Sequence, residues 1–389
     1  MQEPTTVYHR TQYAEEMAQQ LLAPSALQMN VRSGVFLAGI RRVGKTTFLR
    51  QDLVPALERR KAVVIYVDLW SDMSKNPAAL VHEAVRTTLQ ELQTPGSGLL
   101  QRLKSLNLGA AGLSFGFALE TLGAKGGATL AQAFVELVEQ AASDVVLIVD
   151  EVQHAMASED GQVLLHALKA ARDAVNARMG GKHHFIFLGT GSHKSMITAM
   201  TTRRTQPFSG ALIAPYEVLG RDFVDWQLQR VAASDVAVLP DPEVAYAGFQ
   251  LMGHRPEELL KALVELQAYP EQPNSVFPVI SSTLASAAAD VELRMLDDLG
   301  GLAEAIFARI AEGPEEGVSG LFGSEALEHY RQTAGTSVEA AHVQNLVDKM
   351  MAANLVTRAG HGKYAVTDPF VRRVWRERRQ LLQPPAQSR

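Results

Sequence analysis

The sequence predicts an α/β protein, in which a parallel sheet flanked by helices is followed by a helical segment and a smaller C-terminal domain of helices and one hairpin. Three observations point to this. Short apolar runs at Gly34–Gly39, Ala62–Leu69, Val145–Val149 and Phe185–Leu188 read as strands buried on both faces, the pattern of parallel sheets. Segments with apolar residues at helical spacing lie between them, which is the alternation an α/β sheet requires. The first run leads straight into a glycine-flanked loop and then a helix.

Composition narrows the function. The 389 residues leave room for two or three domains. With 47% apolar and 20% charged residues the chain is globular rather than disordered. Its net charge of -5, from 37 basic and 42 acidic side chains, excludes a general nucleic-acid coat but leaves room for a local basic patch. The absence of cysteine excludes a disulfide framework, a thiolate metal site and a cysteine nucleophile. It also fits a reducing compartment. The N-terminus has no apolar signal-peptide region, and the weakly charged stretch Ser105–Leu119 is too short to span a bilayer. A soluble cytoplasmic protein without membrane insertion is expected.

Taken in order, the strand at Gly34–Gly39 precedes Gly39-Ile40-Arg41-Arg42-Val43-Gly44-Lys45-Thr46-Thr47, which satisfies G-x-x-x-x-G-K-[ST]. Phe48, Leu49, Leu53, Val54 and Leu57 then recur at helical spacing. The glycines let consecutive backbone N–H groups face a phosphate, and the following helix adds its positive end. Lys45 is expected at the β- and γ-phosphates, and Thr46 supplies a hydroxyl to Mg²⁺. ATP and Mg²⁺ are therefore the expected ligands.

A second strand spans Ala62–Leu69. An insertion over residues 75–142 holds a helix at Ala78–Leu92, a glycine-rich stretch and a helix at Leu130–Ala142. Within it Leu113, Phe115, Phe117 and Leu119 alternate with small residues, a period-two strand signal. It reads as a projecting ribbon, or as a segment packed on its own core. The third strand, Val145–Val149, ends in Asp150-Glu151. Asp150 is placed to hold Mg²⁺, and Glu151 to position the attacking water. An acidic helix N-cap is the plainer reading of the pair.

The fourth strand ends in Gly189-Thr190-Gly191-Ser192, where Thr190 and Ser192 are candidates for contacting the γ-phosphate or the water, or are simply turn residues. Arg203 and Arg204 follow, and Leu212–Ile213 offers a fifth strand. Residues 223–288 are rich in helix formers, with Trp226, Leu228, Leu259, Leu260 and Leu263 at apolar spacing, a helical lid. In the last hundred residues Thr336–Glu339 reads as a capping box. Gly360-His361-Gly362 reads as the turn of a β-wing, and Asp368-Pro369 as the start of a final helix. That helix directs Phe370, Val371, Val374 and Trp375 inward and Arg372, Arg373, Arg376, Arg378 and Arg379 mostly outward.

The phosphate loop together with Asp150-Glu151-Val152-Gln153 closely resembles the archaeal-type ATPase branch of the STAND and AAA+-like P-loop NTPases, of the ASCE class. The double arginine and the D-E-x-Q ending are the distinctive parts. Gly253-His254-Arg255-Pro256 looks like that group's small-domain motif near the adenine. This implies nucleotide contacts for Arg255 and Pro256, with Arg255 as a cation on the γ-phosphate or else paired with Glu257 or Glu258. Tyr364–Phe370 with Trp375 resembles the end of the group's winged-helix domain. In oligomeric relatives an arginine near Arg203 and Arg204 acts in trans on a neighbour's γ-phosphate; a solvated face is the alternative. The likeness runs from Tyr8 to Arg379, and the nuclease activity of many relatives is not expected of it.

The expected organisation is an ATPase core over residues 1–222, an α-helical lid over 223–290 and a winged-helix domain over 291–389. The expected activity is Mg²⁺-dependent ATP hydrolysis acting as a conformational switch or motor, in a homo-oligomer or with a DNA or protein partner at the winged helix. The alternatives are an ATP-regulated DNA-binding protein of the transposition-helper or regulator type, and a signalling scaffold that hydrolyses slowly.

Overall fold

In the computed structural model, which describes residues 7–72, 74–103, 112–156, 158–178, 181–233, 237–334, 337–360 and 362–382, the apolar runs pair into one sheet. Its strands are β1 (Val35–Ala38), β2 (Val63–Asp68), β3 (Val145–Asp150), β4 (Phe185–Gly191) and β5 (Leu212–Pro215), all parallel, in the order β2-β3-β4-β1-β5. Every residue of β3 and β4 is buried, as a central parallel strand covered on both faces must be. The register sets Asp68 beside Asp150 and Leu37 beside Thr190. The C-terminal ends of β1, β3 and β4 therefore share one edge of the sheet, where α/β folds bind ligands. β4 lies between β1 and β3, so residues after β4 fall between the phosphate loop and the acidic pair.

Two compact units result. One comprises residues 9–41 and 45–217; the other comprises residues 218–389 with the N-terminal residues through Tyr8 and loop residues 42–44. In the first unit α1 (Thr11–Leu22) precedes the sheet. The helix after the phosphate loop starts as α2 (Lys45–Phe48), passes through a π-turn at Leu49–Leu53 and continues as α3 (Val54–Arg59). The insertion supplies α4 (Pro77–Gln93), α5 (Gly98–Leu103) and α6 (Leu130–Ala141), and α6 begins in a capping box between Thr129 and Gln132. After β3 come α7 (Gln153–Met156) and α8 (Glu159–Asn176), and after β4 comes α9 (Lys194–Thr202).

Of the two readings of Leu113–Leu119, a projecting ribbon or a segment packed on its own core, the structure shows the second. Leu113, Phe115 and Leu119 are buried in the core of α4, α6 and the sheet, and Leu119–Thr121 is a short 3-10 turn. The alternation is real, but the extended chain lies against its own core with no strand partner among the described residues. Period two reports which side is buried and says nothing of pairing.

The second unit contains α10 (Arg221–Ala232), α11 (Pro242–Leu251), α12 (Pro256–Leu266), α13 (Pro273–Leu299), α14 (Gly301–Glu312), α15 (Ser324–Ala334) and α16 (Ala340–Ala352). An antiparallel hairpin of β6 (Val356–Gly360) and β7 (Lys363–Val366) and the final α17 (Pro369–Leu382) complete it. One continuous apolar core runs from Leu219 to Trp375. α13, rather than Ser105–Leu119, is the described stretch long and apolar enough to cross a bilayer by length and composition. Its Phe277, Ile280, Ala285, Ala289 and Leu296 belong to this core. α16 starts at Ala340 with Glu339 as its N-cap and no capping side-chain hydrogen bond; Thr336 of the expected box lies outside the described residues, as does His361 of the hairpin turn.

The arginines of α17 do not form an outward basic face. Arg372 is buried, and its Nε donates to the Ala311 carbonyl at 2.9 Å. Arg376 donates to the carbonyls of Ala311, Glu312 and Gly313 at 2.7, 2.8 and 2.7 Å. Together they satisfy the open C-terminal end of α14, where a cation also meets the helix dipole favourably. Arg373 donates to Gln250 and Leu251 at the end of α11; Arg378 engages Asp290 and Ser286, and Arg379 pairs with Glu312. These arginines fasten the unit rather than await a phosphate backbone. Arg372→Ala should lower the stability of this unit by about 1–3 kcal/mol, because buried carbonyls lose their donor, read as a shift in urea midpoint. The exposed Arg379→Ala should change it by less than about 0.5 kcal/mol.

Candidate functional site

The phosphate loop turns through two residues with left-handed backbone, Arg42 (φ 65°) and Gly44 (φ 90°). Gly39 opens it at the end of β1; a Cβ there would lie 2.8 Å from that of Tyr216 and 3.3 Å from Lys45 Cδ, so only glycine fits. Ile40 continues the backbone, Val43 is fully buried, and Thr47 on α2 is exposed. Lys45 is 5% exposed, and its Nζ donates to the carbonyls of Gly39 and Ile40 at 2.7 and 2.6 Å. Burial lowers the Lys45 pKa, while Glu151 and Asp150 act in the opposite sense.

At the end of β3, Asp150 is 1% exposed and accepts three hydroxyl hydrogen bonds. Thr46 donates from α2 at 2.7 Å, Tyr66 from β2 at 2.9 Å, and Thr190 from β4. Nothing in the sequence marks Tyr66; its register opposite Ile148 in β3 places it, and only the pairing of the strands reveals it. Burial, and secondly Asp150, push its phenol pKa far up, so it stays a donor. Glu151 adopts left-handed backbone (φ 55°). Its N–H points to Asp150 Oδ1 at 3.1 Å, and its carboxylate accepts from Gln153 Nε2 and, at 3.3 Å, from Ser192 Oγ. The Asp150-Glu151 pair therefore does not cap α7 with its side chains.

Thr190 and Ser192 separate in role. Thr190 is fully buried against Asp150, whereas Ser192 joins Glu151, Gln153 Nε2 (3.3 Å) and Arg41 Nε (3.3 Å). Gly191 leaves the space this needs, since a Cβ there would meet Gln153 Oε1 at 2.4 Å. Arg41 also lies over the Trp70 ring at 5.1 Å, and Trp70 packs against His154 at 5.0 Å. Arg203 and Arg204 are exposed at the C-terminal end of α9.

In the second unit Arg255 is 1% exposed; it donates to Asp368 at 3.0 Å and lies 4.2 Å over Phe370. It pairs with neither Glu257 nor Glu258, which hold Lys261 instead. Pro256 is the first residue of α12. Asp368 in turn caps α17 by accepting from the Phe370 N–H at 2.9 Å.

Residues 30–197 match the AAA domain family. Comparison with curated proteins gives no match. Among solved structures the chain is similar to the ADP form of the ORC2 protein of Aeropyrum pernix, at 14% identity and a TM-score of 0.53, covering 98% of this chain and 96% of that one. It is also similar to the ADPNP-ADP complexes of that protein (16%, TM-score 0.48, 97% and 96%) and to CDC6P from Pyrobaculum aerophilum (13%, TM-score 0.39, 97% and 97%). At these identities the likeness to ORC2 is one of fold. The first unit thus has the five-stranded parallel sheet of a P-loop ATPase fold, with an AAA domain match across most of it.

His193, beside Ser192, is buried, and burial followed by Arg41 and His154 pushes its pKa down to about 4 from 6.5. The native state keeps this ring neutral while the unfolded chain protonates it. Its contribution is therefore fully present above pH 6.5 and is lost as pH falls toward about 4. Urea midpoints taken across that window should fall less steeply in His193→Asn than in the parent protein.

Proposed function

We propose that this chain binds ATP with Mg²⁺ and hydrolyses it, using the nucleotide state as a conformational switch. The observation that supports this best is the 2.7 Å contact between Thr46 and Asp150, which brings the hydroxyl of the phosphate loop and the carboxylate of β3 together across β4. A hydroxyl beside a carboxylate is an oxygen donor set suited to Mg²⁺, which keeps several waters. Thr46 and Asp150 would hold the ion, and it supplies charge neutralisation at the phosphate oxygens.

This chain's own groups do the rest. The N–H groups of residues 40–47 face the phosphates, and Lys45 leaves the Gly39 and Ile40 carbonyls for the β- and γ-phosphates. Tyr66 and Thr190 hold Asp150 in one orientation, and the lone pair that now accepts from Thr46 would be turned to the ion. Glu151 accepts the proton of the attacking water once Gln153 and Ser192 release it. Arg203 and Arg204, exposed beyond α9, are available to a neighbouring copy. Arg255 and Pro256, at the start of α12, give the switch its reporting element through Asp368 and α17. We read α14–α16 with the β6–β7 hairpin as a winged helix, in the manner of STAND-type switches. A protein partner is favoured over DNA there, because the α17 arginines are held by helix ends.

Lys45→Ala should abolish ATP binding, measured by calorimetry with Mg²⁺ present. Glu151→Gln should bind ATP within about threefold of the parent and lose about 100-fold or more in phosphate release, the range of a general base. Normal turnover in Glu151→Gln would refute the role assigned to that carboxylate.

A further inference from the structure

Resting on the ATP reading above, we infer that Arg41 is the cation with which this chain reads the γ-phosphate in cis, and that it is linked through Ser192 to the release of Glu151. Three observations converge on it. Arg41 sits inside the phosphate loop, two residues after Gly39. Among the described residues it has no carboxylate within ion-pair distance, and it donates from Nε to the Ser192 hydroxyl at 3.3 Å. Its guanidinium lies over an indole, Trp70, that is 44% exposed.

Most other arginines named above meet a carboxylate or a helix end; this one is held by an aromatic face and a neutral hydroxyl. A guanidinium without an acidic partner, in the loop that leads into a helix N-terminus, is placed to meet an anion bound there. The diphosphate end answers to Lys45 and the loop amides. The additional charge of a third phosphate is what the planar, multi-donor guanidinium is suited to take.

Ser192 makes the link. Its hydroxyl has one donor and two acceptor positions, which Glu151 Oε2, Gln153 Nε2, Arg41 Nε and, at 3.4 Å, His193 Nδ1 share. Drawing Arg41 from Ser192 toward a γ-phosphate removes one member of this set. The hydroxyl can then reorient, which loosens the clasp on Glu151. The carboxylate would be freed when a triphosphate is bound and remain held with a diphosphate.

The test compares affinity for AMP-PNP and ADP, each with Mg²⁺, in the parent chain, Arg41→Ala and Arg41→Lys, with folding checked by circular dichroism. Arg41→Ala should keep ADP affinity within about threefold. It should lose about tenfold or more of the preference for AMP-PNP, the scale of one charge-assisted hydrogen bond, and Arg41→Lys should recover part of it. Tryptophan emission should respond to AMP-PNP more than to ADP, and that difference should vanish in Arg41→Ala and in Trp70→Phe. An unchanged AMP-PNP preference in Arg41→Ala overturns the assignment, as does an emission change that is the same with both nucleotides. These results are distinct from failure of the ATP reading itself, in which the parent chain binds neither nucleotide and the Arg41 assignment falls with it. A preference abolished instead by Arg203→Ala or Arg204→Ala, with Arg41→Ala neutral, would assign the cation to a neighbouring copy.

Discussion

The buried carboxylate of Asp150 is the point from which the rest of the site takes its shape. A carboxylate with 1% exposure must have its charge compensated. Three hydroxyls, from α2, β2 and β4, converge on its two oxygens. Each donor belongs to a different element, so the requirement of one buried acid fixes the phosphate loop, the sheet edge and the strand between them in a single arrangement. Moving any one of the strands by a residue would turn its donor to the opposite face of the sheet and leave the charge short of partners.

The cations beside it are met differently. Lys45 rests on two loop carbonyls and Arg41 on an indole and a serine, so both have neutral partners, whereas the buried acid is held by donors from three elements. Glu151, next to that acid, has left-handed backbone, and its carboxylate accepts from Gln153 and Ser192.

The second unit shows a different use of charge. Arg372 and Arg376 cap α14, Arg373 caps α11, and Arg255 joins α12 to the start of α17 through Asp368 and Phe370. Burial raises the Asp368 pKa while Arg255 lowers it, so the acid and its arginine stabilise each other in a place where neither would be tolerated alone. Gly253 is part of the same joint: a Cβ there would press on Phe370 at 2.9 Å. The helices on either side of the hairpin thus share one core with the helices before it.

By itself the sequence determined the parallel sheet, the phosphate loop and the acidic pair, because each rests on local order: a buried strand must be apolar throughout, and G-x-x-x-x-G-K-T works through contiguous backbone. The alternation at Leu113–Leu119 was equally local, and it marked buried positions without marking a strand. What only the tertiary structure decided depends on who lies beside whom. Strand order put Tyr66, Thr190 and Ser192 around the carboxylates, and packing turned five apparently outward arginines toward helix ends and acidic side chains. A side chain's spacing along the chain announces its face, but its partner comes from an element whose distance in sequence carries no trace of the contact.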